Sequence, residues 1–314
     1  ATSMLADLFP KHKLTTAIAV FGLGGILGSA ISNAIGGLVV GFTEGSGGYQ
    51  LPLLGHVAPW QMVFLITGAP GILMSFLMFA VPEPARRIEQ AHAAHAAGFG
   101  GAMGFMWRNR RFYLPHFIGF SLVSIMASGF TAWTPSHFMR TYDLPVAQVG
   151  LTMAALQISL GAIGMVAPGF IIDRMMRRGR VDAHLRYFAW GVMLLGASGL
   201  WMALAPSAGT AFGALALVDL TIGFYPIAIA SLQVVTPNQY RGQATAAFLI
   251  VYNIVGQGLG PSVVAGFTDF LFRSDEMVGA SLALTFALCT PLAALCFWYG
   301  MRSMRRIAAP SGAG

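Results

Sequence analysis

The chain has 314 residues, 56% of them hydrophobic and only 9% charged, with a formal net charge of +7 and a mean hydropathy of +0.69. That balance lies far outside the range of soluble domains and suits a chain whose surface faces lipid. It argues against a nucleic-acid binder, because no polar segment is large enough to carry a basic, base-reading face.

Residues 1–9 (ATSMLADLF) look like the tail of an apolar span. Eight further spans follow at roughly 15–41, 60–81, 114–139, 146–171, 187–205, 211–235, 244–271 and 278–301, each near the ~20 apolar residues that a bilayer core requires. Period-two alternation is absent from these runs, so helices rather than barrel strands are expected to satisfy the backbone in lipid. The expected fold class is an all-α polytopic membrane protein.

The connections alternate in charge. Sixteen of the 18 basic residues lie in 10–14, 82–112, 172–186, 236–243 or the tail 302–314, and only Arg140 and Arg273 lie on the other side. This positive-inside pattern places those loops and the C-terminus in the cytoplasm of a cell whose inner membrane holds the protein. The opposite loops, among them 42–59 (FTEGSGGYQLPLLGHVAP), are acidic or neutral and rich in Gly, Pro and Ser.

Little points to enzymatic chemistry. No activated nucleophile or carboxylate pair stands in any loop, and the run GLGGILG lies inside an apolar helix rather than after a strand, which argues against a phosphate loop. Glu89, His92 and His95 lack the further ligands that a metal would need. Cys289 and Cys296 both fall inside the last span as small packing residues. No cofactor and no metal are therefore expected.

The stretch GFIIDRMMRRGR, residues 169–180, concentrates charge where the rest of the chain avoids it. Gly169, Asp173, Arg174, Arg177 and Arg178 match the loop pattern Gly-x-x-x-Asp-Arg/Lys-x-Gly-Arg/Lys-Arg/Lys, with Met176 in place of the second Gly. In this the sequence resembles the major facilitator superfamily, which carries that loop between the second and third helices of each six-helix half. The resemblance implies a cytoplasmic latch. Gly169 would let helices approach, and Asp173 would pair with an arginine and with the positive N-terminus of the helix starting near Thr15. The plainer reading is a solvated basic loop. Arg241, in the next cytoplasmic turn, joins the same gate set.

Weak internal symmetry supports the resemblance. Ala17, Ala19 and Phe21 recur as Ala244, Ala246 and Phe248, and both segments run into glycines, as transporter halves do. If both are fifth helices, 1–81 is the remainder of the first half, 82–112 the central cytoplasmic loop, 113–301 a complete second half and 302–314 a tail. The chain then reads as a fragment lacking the first three helices and most of the fourth, about 110–130 residues. Within the central loop, AAGFGGAMGFMWRNRR suggests an amphipathic surface helix with Phe99, Met103 and Met106 toward lipid and arginines toward headgroups.

Small residues mark close helix packing. Gly24, Gly28, Ser32 and Gly36 form one four-residue column, with Gly37 in the next, and Gly256, Gly260 and Pro261 lie on the equivalent helix of the other half. Facilitator antiporters carry Gly-x-x-x-Gly-Pro-x-x-Gly-Gly here; Ser32 and Asn33 replace the Gly-Pro pair, so packing is the default and antiport the alternative.

Polar residues at membrane depth are the candidates for a solute cavity. Asp219 is the only acid well inside a span. A lone carboxylate there is costly to ionise and is suited to carry a proton or meet a cation, unless it sits wet and hydrogen-bonded near its helix end. Trp133, Thr131, Gln157, Tyr225, Asn253 and Gln257 are placed around it, with Asn33 facing them from the first half. Each one singly also fits an ordinary packing hydrogen bond.

The wording SMLADLFP, WQMVFLITGAPGIL and TPNQYRGQATAAF is most similar to the bacterial Spinster-like group and its organic-anion symporter neighbours. The first implies lysolipid-type amphiphiles, often proton-coupled; the second implies sugar acids. No Arg or Lys lies inside a span, which favours an amphiphile or neutral solute. The expectation is a monomeric secondary transporter in the lipid bilayer, with a small-molecule substrate, protons as the coupling partner and no nucleic acid. A transport-inactive sensor or scaffold on the same fold is the rival of a different class.

Overall fold

In the computed structural model, residues 11–43, 48–52, 55–77, 99–221 and 223–308 are described. The expected tail at 1–9 and the Glu89, His92 and His95 group lie outside them. Seven helical runs among the described residues are long and apolar enough to cross a membrane, and Trp60–Ile72 is a shorter apolar one. The helices are α1 (Lys11–Thr43), α2 (Pro59–Leu77), α3 (Phe99–Arg108), α4 (Arg110–Tyr142), α5 (Val146–Arg177), α6 (Ala183–Leu204), α7 (Ala208–Thr221), α8 (Tyr225–Val235), α9 (Asn238–Phe272) and α10 (Val278–Ala308).

Two departures from continuous helix have local causes. The expected span at 211–235 breaks between α7 and α8, where Gly223 allows a turn and Pro226, without an amide hydrogen, starts the next helix. The loop 42–59 contains a two-stranded antiparallel hairpin, β1 (Tyr49–Leu51) and β2 (Gly55–Val57), in register Tyr49↔Val57 and Leu51↔Gly55. Gly48 and Gly55 enter its strands at φ of 122° and 70°, which side chains resist.

The chain packs as two compact units, one of Ala1–Arg87 with Phe138–Ala162, the other of Ile88–His137 with Ile163–Gly314. The segment 138–162 joins the first unit because α1 packs antiparallel along the start of α5, backbone on backbone. A Cβ on Gly37 would sit 3.0 Å from the Gly150 Cα and the Val146 carbonyl, and one on Gly41 would sit 2.9 Å from the Ala147 Cβ. Glycine is required for that approach.

The second unit is held by an aromatic core. Phe120 lies 4.8 Å from both Phe188 and Phe297, and His116 lies 4.6 Å from Phe120 and 5.2 Å from Phe248. Gly196 and Gly199 of α6 leave room for Thr290 and Phe286 of α10. His116 and His137 are each only 1% exposed; His116 Nε2 sits 2.7 Å from Ser231 Oγ and 3.1 Å from the Ala228 carbonyl.

The central-loop helix is only partly as expected. Met103 is exposed, but Met106 is buried together with Ala102, because four-residue spacing puts both on the face that meets protein. The side chain of Phe99 lies outside the described residues.

Candidate functional site

Polar side chains gather at two places. In the first unit, the Asn33 amide donates to Gln157 Oε1 at 3.0 Å and Ser29 Oγ donates to the same oxygen at 3.4 Å. Gln157 opens a π-helical turn, Gln157–Gly161, inside α5. Such turns are rare and mark functional sites more often than chance. Asn33 and Gln157 are legible in the sequence as polar residues at membrane depth; Ser29, one small residue among many on α1, carries no such signal.

In the second unit, α9 carries its own π-helical segment, Tyr252–Gly258, which includes Asn253, Gly256 and Gln257. The Tyr252 ring lies 5.4 Å from that of Tyr225, and its hydroxyl is within reach of Ser124 and Gln257. Asn253 donates to the Leu249 carbonyl at 2.7 Å and Thr131 donates to that of Ala127 at 2.8 Å, so both bond within their own helices. Asn253, Gln257, Thr131 and Tyr225 are all exposed.

Trp133 ties helices together. Its Nε1–H donates to the Pro261 carbonyl at 3.0 Å, and Ser128 Oγ donates to the Gly256 carbonyl at 3.1 Å. Gly256 and Gly260 lie against Ser124, Ser128 and Gly129 so closely that added Cβ atoms would overlap them. For this pair of helices the small-residue expectation corresponds to real backbone approach. Of the α1 residues in that expectation Gly37 alone does so: Gly24, Gly28 and Gly36 have nothing within 4 Å of an added Cβ, and Ser32 is exposed. Composition marks where an approach is permitted, and a facing helix decides where it occurs.

Asp219 is 1% exposed, with Oδ2 lacking a hydrogen-bond partner among the described residues. Its helix is pinned by Gly164 of α5, where a Cβ would strike the Asp219 and Leu220 carbonyls, and by Gly223, which abuts the Gly164 carbonyl. The neighbouring Val218 lines an apolar cavity of about 10 Å³ with Ala127, Phe130, Leu195, Phe224 and Phe286. The carboxylate is thus buried in the last turn of α7, beside an apolar cavity.

Asp173 is exposed and forms no ion pair among the described residues, as Arg174, Arg177 and Arg178 are also exposed. An added Cβ on Gly169 meets nothing within 4 Å, and the side chain of Thr15 lies outside the described residues. The paired acid is Asp182 at the start of α6. Its Oδ2 accepts from Arg305 Nε and Nη2 at 2.8 and 2.6 Å and from Arg186 Nη2 at 3.0 Å. Burial alone would raise the Asp182 pKa, but the two arginines outweigh it and hold the carboxyl below its usual value. Only the i,i+4 spacing of Asp182 and Arg186 hints at this in the sequence. Arg241 donates from Nε to the Thr236 carbonyl at 3.0 Å, closing the turn between α8 and α9.

Cys289 and Cys296 are free thiols, and among the described residues no three His, Cys, Asp or Glu side chains gather as a metal site.

Helices carrying these two polar clusters match known proteins. Residues 1–261 match the family described as the Major Facilitator Superfamily. The chain belongs to that superfamily. It is 24% identical over 268 residues to an MFS-type efflux pump of Mycolicibacterium smegmatis, covering 81% of this chain and 59% of the pump. It is 24% identical over 288 residues to a hexuronate transporter of Bacillus subtilis, covering 89% of this chain and 60% of that protein. A probable L-galactonate transporter of Escherichia coli is 22% identical over 178 residues, 53% of this chain and 39% of the transporter. The chain therefore spans about 60% or less of the curated relatives it matches.

Among solved structures, a bacterial homolog of the human lysosomal transporter Spinster, inward-facing and unoccupied, superposes with a TM-score of 0.67 at 18% identity, covering 98% of this chain and 74% of that one. The occupied inward-facing form gives 0.63 at 16% identity, covering 98% and 72%. The superfamily fold expected from the loop motif is thus the fold found, and it is a multi-pass membrane fold of transporters rather than of enzymes.

Proposed function

We propose that this facilitator chain forms part of a secondary active transporter that moves a small organic or amphiphilic solute by alternating access, with protons as the coupling ion and Asp219 as the group that carries them. The observation behind this reading is the buried Asp219 carboxylate, whose Oδ2 lacks a partner among the described residues at membrane depth. An uncompensated charge there is strongly disfavoured. A group whose proton must be exchanged before the surroundings rearrange is a physical basis for coupling.

In the same proposal the basic loops and the tail 302–314 face the cytoplasm, and the chain sits in an inner membrane. The solute contacts come from Tyr225, Gln257 and Asn253 in one cluster and from Asn33 and Gln157 in the other, while Trp133 and Thr131 support the helices that carry them. Asp173, Gly169 and the arginines 174, 177 and 178 belong to a cytoplasmic gate. A neutral or amphiphilic solute is favoured by the lack of Arg or Lys in the interior of the spans.

Reconstituted protein should take up solute against an imposed pH gradient, with lysophosphatidylethanolamine and galactonate as the first two probes. Asp219→Asn should abolish gradient-driven uptake while leaving counterflow exchange measurable. Unchanged rate and unchanged pH dependence in that variant would sink the assignment. A sugar-acid symporter is the second reading, supported by the galactonate and hexuronate transporters among the relatives; galactonate uptake without lysolipid uptake would favour it. Saturable binding without flux for either probe would favour a sensor on the same fold.

A further inference from the structure

The helix α3 has two unlike faces. On one, Ala102 and Met106 are buried, the Phe105 ring stacks on Tyr240 at 5.6 Å, and Gly101 is so close to Tyr240 that an added Cβ would lie 3.2 Å from its hydroxyl. The chain bends at Asn109, whose amide and side chain both donate to the Phe105 carbonyl. Phe105 and Tyr113 are eight residues apart, about 12 Å of rise in a straight helix, yet their rings are 6.2 Å apart. The fold therefore fixes α3 beside the start of α9.

The other face is open. Met103 is 45% and Trp107 65% exposed, and the apolar stripe continues into the membrane-crossing part of α4 through Leu114 and Ile118, at 48% and 51%. Arg108, Arg110 and Arg111 interrupt this stripe between Trp107 and Leu114, all three exposed. The Arg110 guanidinium lies 5.6 Å from the centre of the Trp107 ring. Apolar surface on a membrane-crossing helix, then three cations, then an exposed tryptophan and methionine on a short amphipathic helix suits a segment that lies in the bilayer interface.

We propose that the open face of α3 with Arg108, Arg110 and Arg111 is a binding surface for anionic phospholipid headgroups of the leaflet that α4 enters. Leu114 and Ile118 lie against acyl chains, the arginines pair with headgroup phosphates as planar donors, and Met103 and Trp107 enter the boundary between headgroup and chain. Charge complementarity selects the partner: three cations and no acid occur from residue 99 to residue 120. Near an anionic surface each such cation strengthens the attraction of the segment to that surface roughly five-fold.

The test uses the intact protein in phosphatidylcholine vesicles with brominated lipid. The emission lost on Trp107→Phe isolates the Trp107 signal. Brominated phosphatidylglycerol should quench that signal more than brominated phosphatidylcholine at equal mole fraction, and added salt should reduce the difference. The triple variant R108Q/R110Q/R111Q should lose the preference, and R108K/R110K/R111K should retain most of it, which separates charge from a folding defect. Equal quenching by the two lipids overturns the proposal. Quenching by aqueous iodide but by neither lipid also overturns it and points to an acidic protein segment as the partner.

Discussion

Asn33 of α1 donates its amide to Gln157 Oε1 at 3.0 Å, four residues along α1 from the place where Gly37 touches the Gly150 backbone. The two contacts make one seam, polar at Gln157 and backbone-to-backbone at Gly150. Toward the other end the helices stand further apart: an added Cβ on Gly161 reaches Ile26 only at 3.8 Å, and Gly24 and Gly25 face open space. Under the proposed topology the tight end is the outer one.

Removing one partner of the polar contact strands the other. Asn33→Ala and Gln157→Ala are each expected to destabilise the protein by about 1–2 kcal/mol, with the double variant costing less than the sum of the two. Thermal unfolding in detergent measures the cycle. Strict additivity would show that the hydrogen bond contributes nothing.

Gly150 admits no side chain without moving α1. Gly150→Leu should lower the unfolding midpoint or hold the seam apart, and labelling of a cysteine introduced at Ala147 in membranes distinguishes the two. Gly24→Ala, in open space, serves as the neutral control, within about 0.5 kcal/mol of wild type. Equal labelling in wild type and Gly150→Leu with equal stability would contradict the packing described.

The Trp133 and Ser128 bonds to the carbonyls of Pro261 and Gly256 should each contribute about 1 kcal/mol. Trp133→Phe and Ser128→Ala are expected to loosen α4 from α9, seen as faster amide exchange at 253–260. Gly260→Ala should do so more strongly, because its methyl would meet Ser128 and the Ile125 carbonyl. Protection unchanged in all three variants would argue against this weld.

Asp182 supplies the pH-dependent part of stability. Burial would raise its folded-state pKa, but Arg305 and Arg186 lower it, so its contribution is fully present above the unfolded value of about 3.9 and is lost as pH falls through the lower folded value. Arg305→Ala should destabilise at neutral pH by about 1–3 kcal/mol, since it leaves Asp182 with only Arg186. Asp182→Asn should remove the acid-dependent component that begins near the unfolded value of about 3.9 and runs below it. An identical acid limb in wild type and Asp182→Asn would refute the assignment. The exposure of Arg305 and Arg186, 50% and 33%, means that salt should weaken the effect at neutral pH.

Much of the architecture was legible in the residues alone. Apolar runs of bilayer length determine the helices, because a backbone in hydrocarbon has to bond within its own segment. The loop motif around Asp173 and the repeat pairing Phe21 with Phe248 led to the superfamily whose fold is found. Asn33, Gln157, Asn253 and Gln257 stood out because polar groups at membrane depth are rare, and all four sit in or against π-helical turns that sequence periodicity does not reveal.

Which small residues are touched, and which acid is paired, only the tertiary structure decided. Gly24 and Gly37 are equivalent as sequence, but Gly150 crosses only the second. Asp173 and Asp182 both lie among arginines in one loop, yet the end of α10 brings Arg305 to Asp182 alone. Met106 shares the apolar character of Met103 but is buried where Met103 is exposed. Periodicity and composition report what a segment tolerates within itself, whereas these outcomes depend on a second segment far along the chain, and no local pattern encodes where that segment lies.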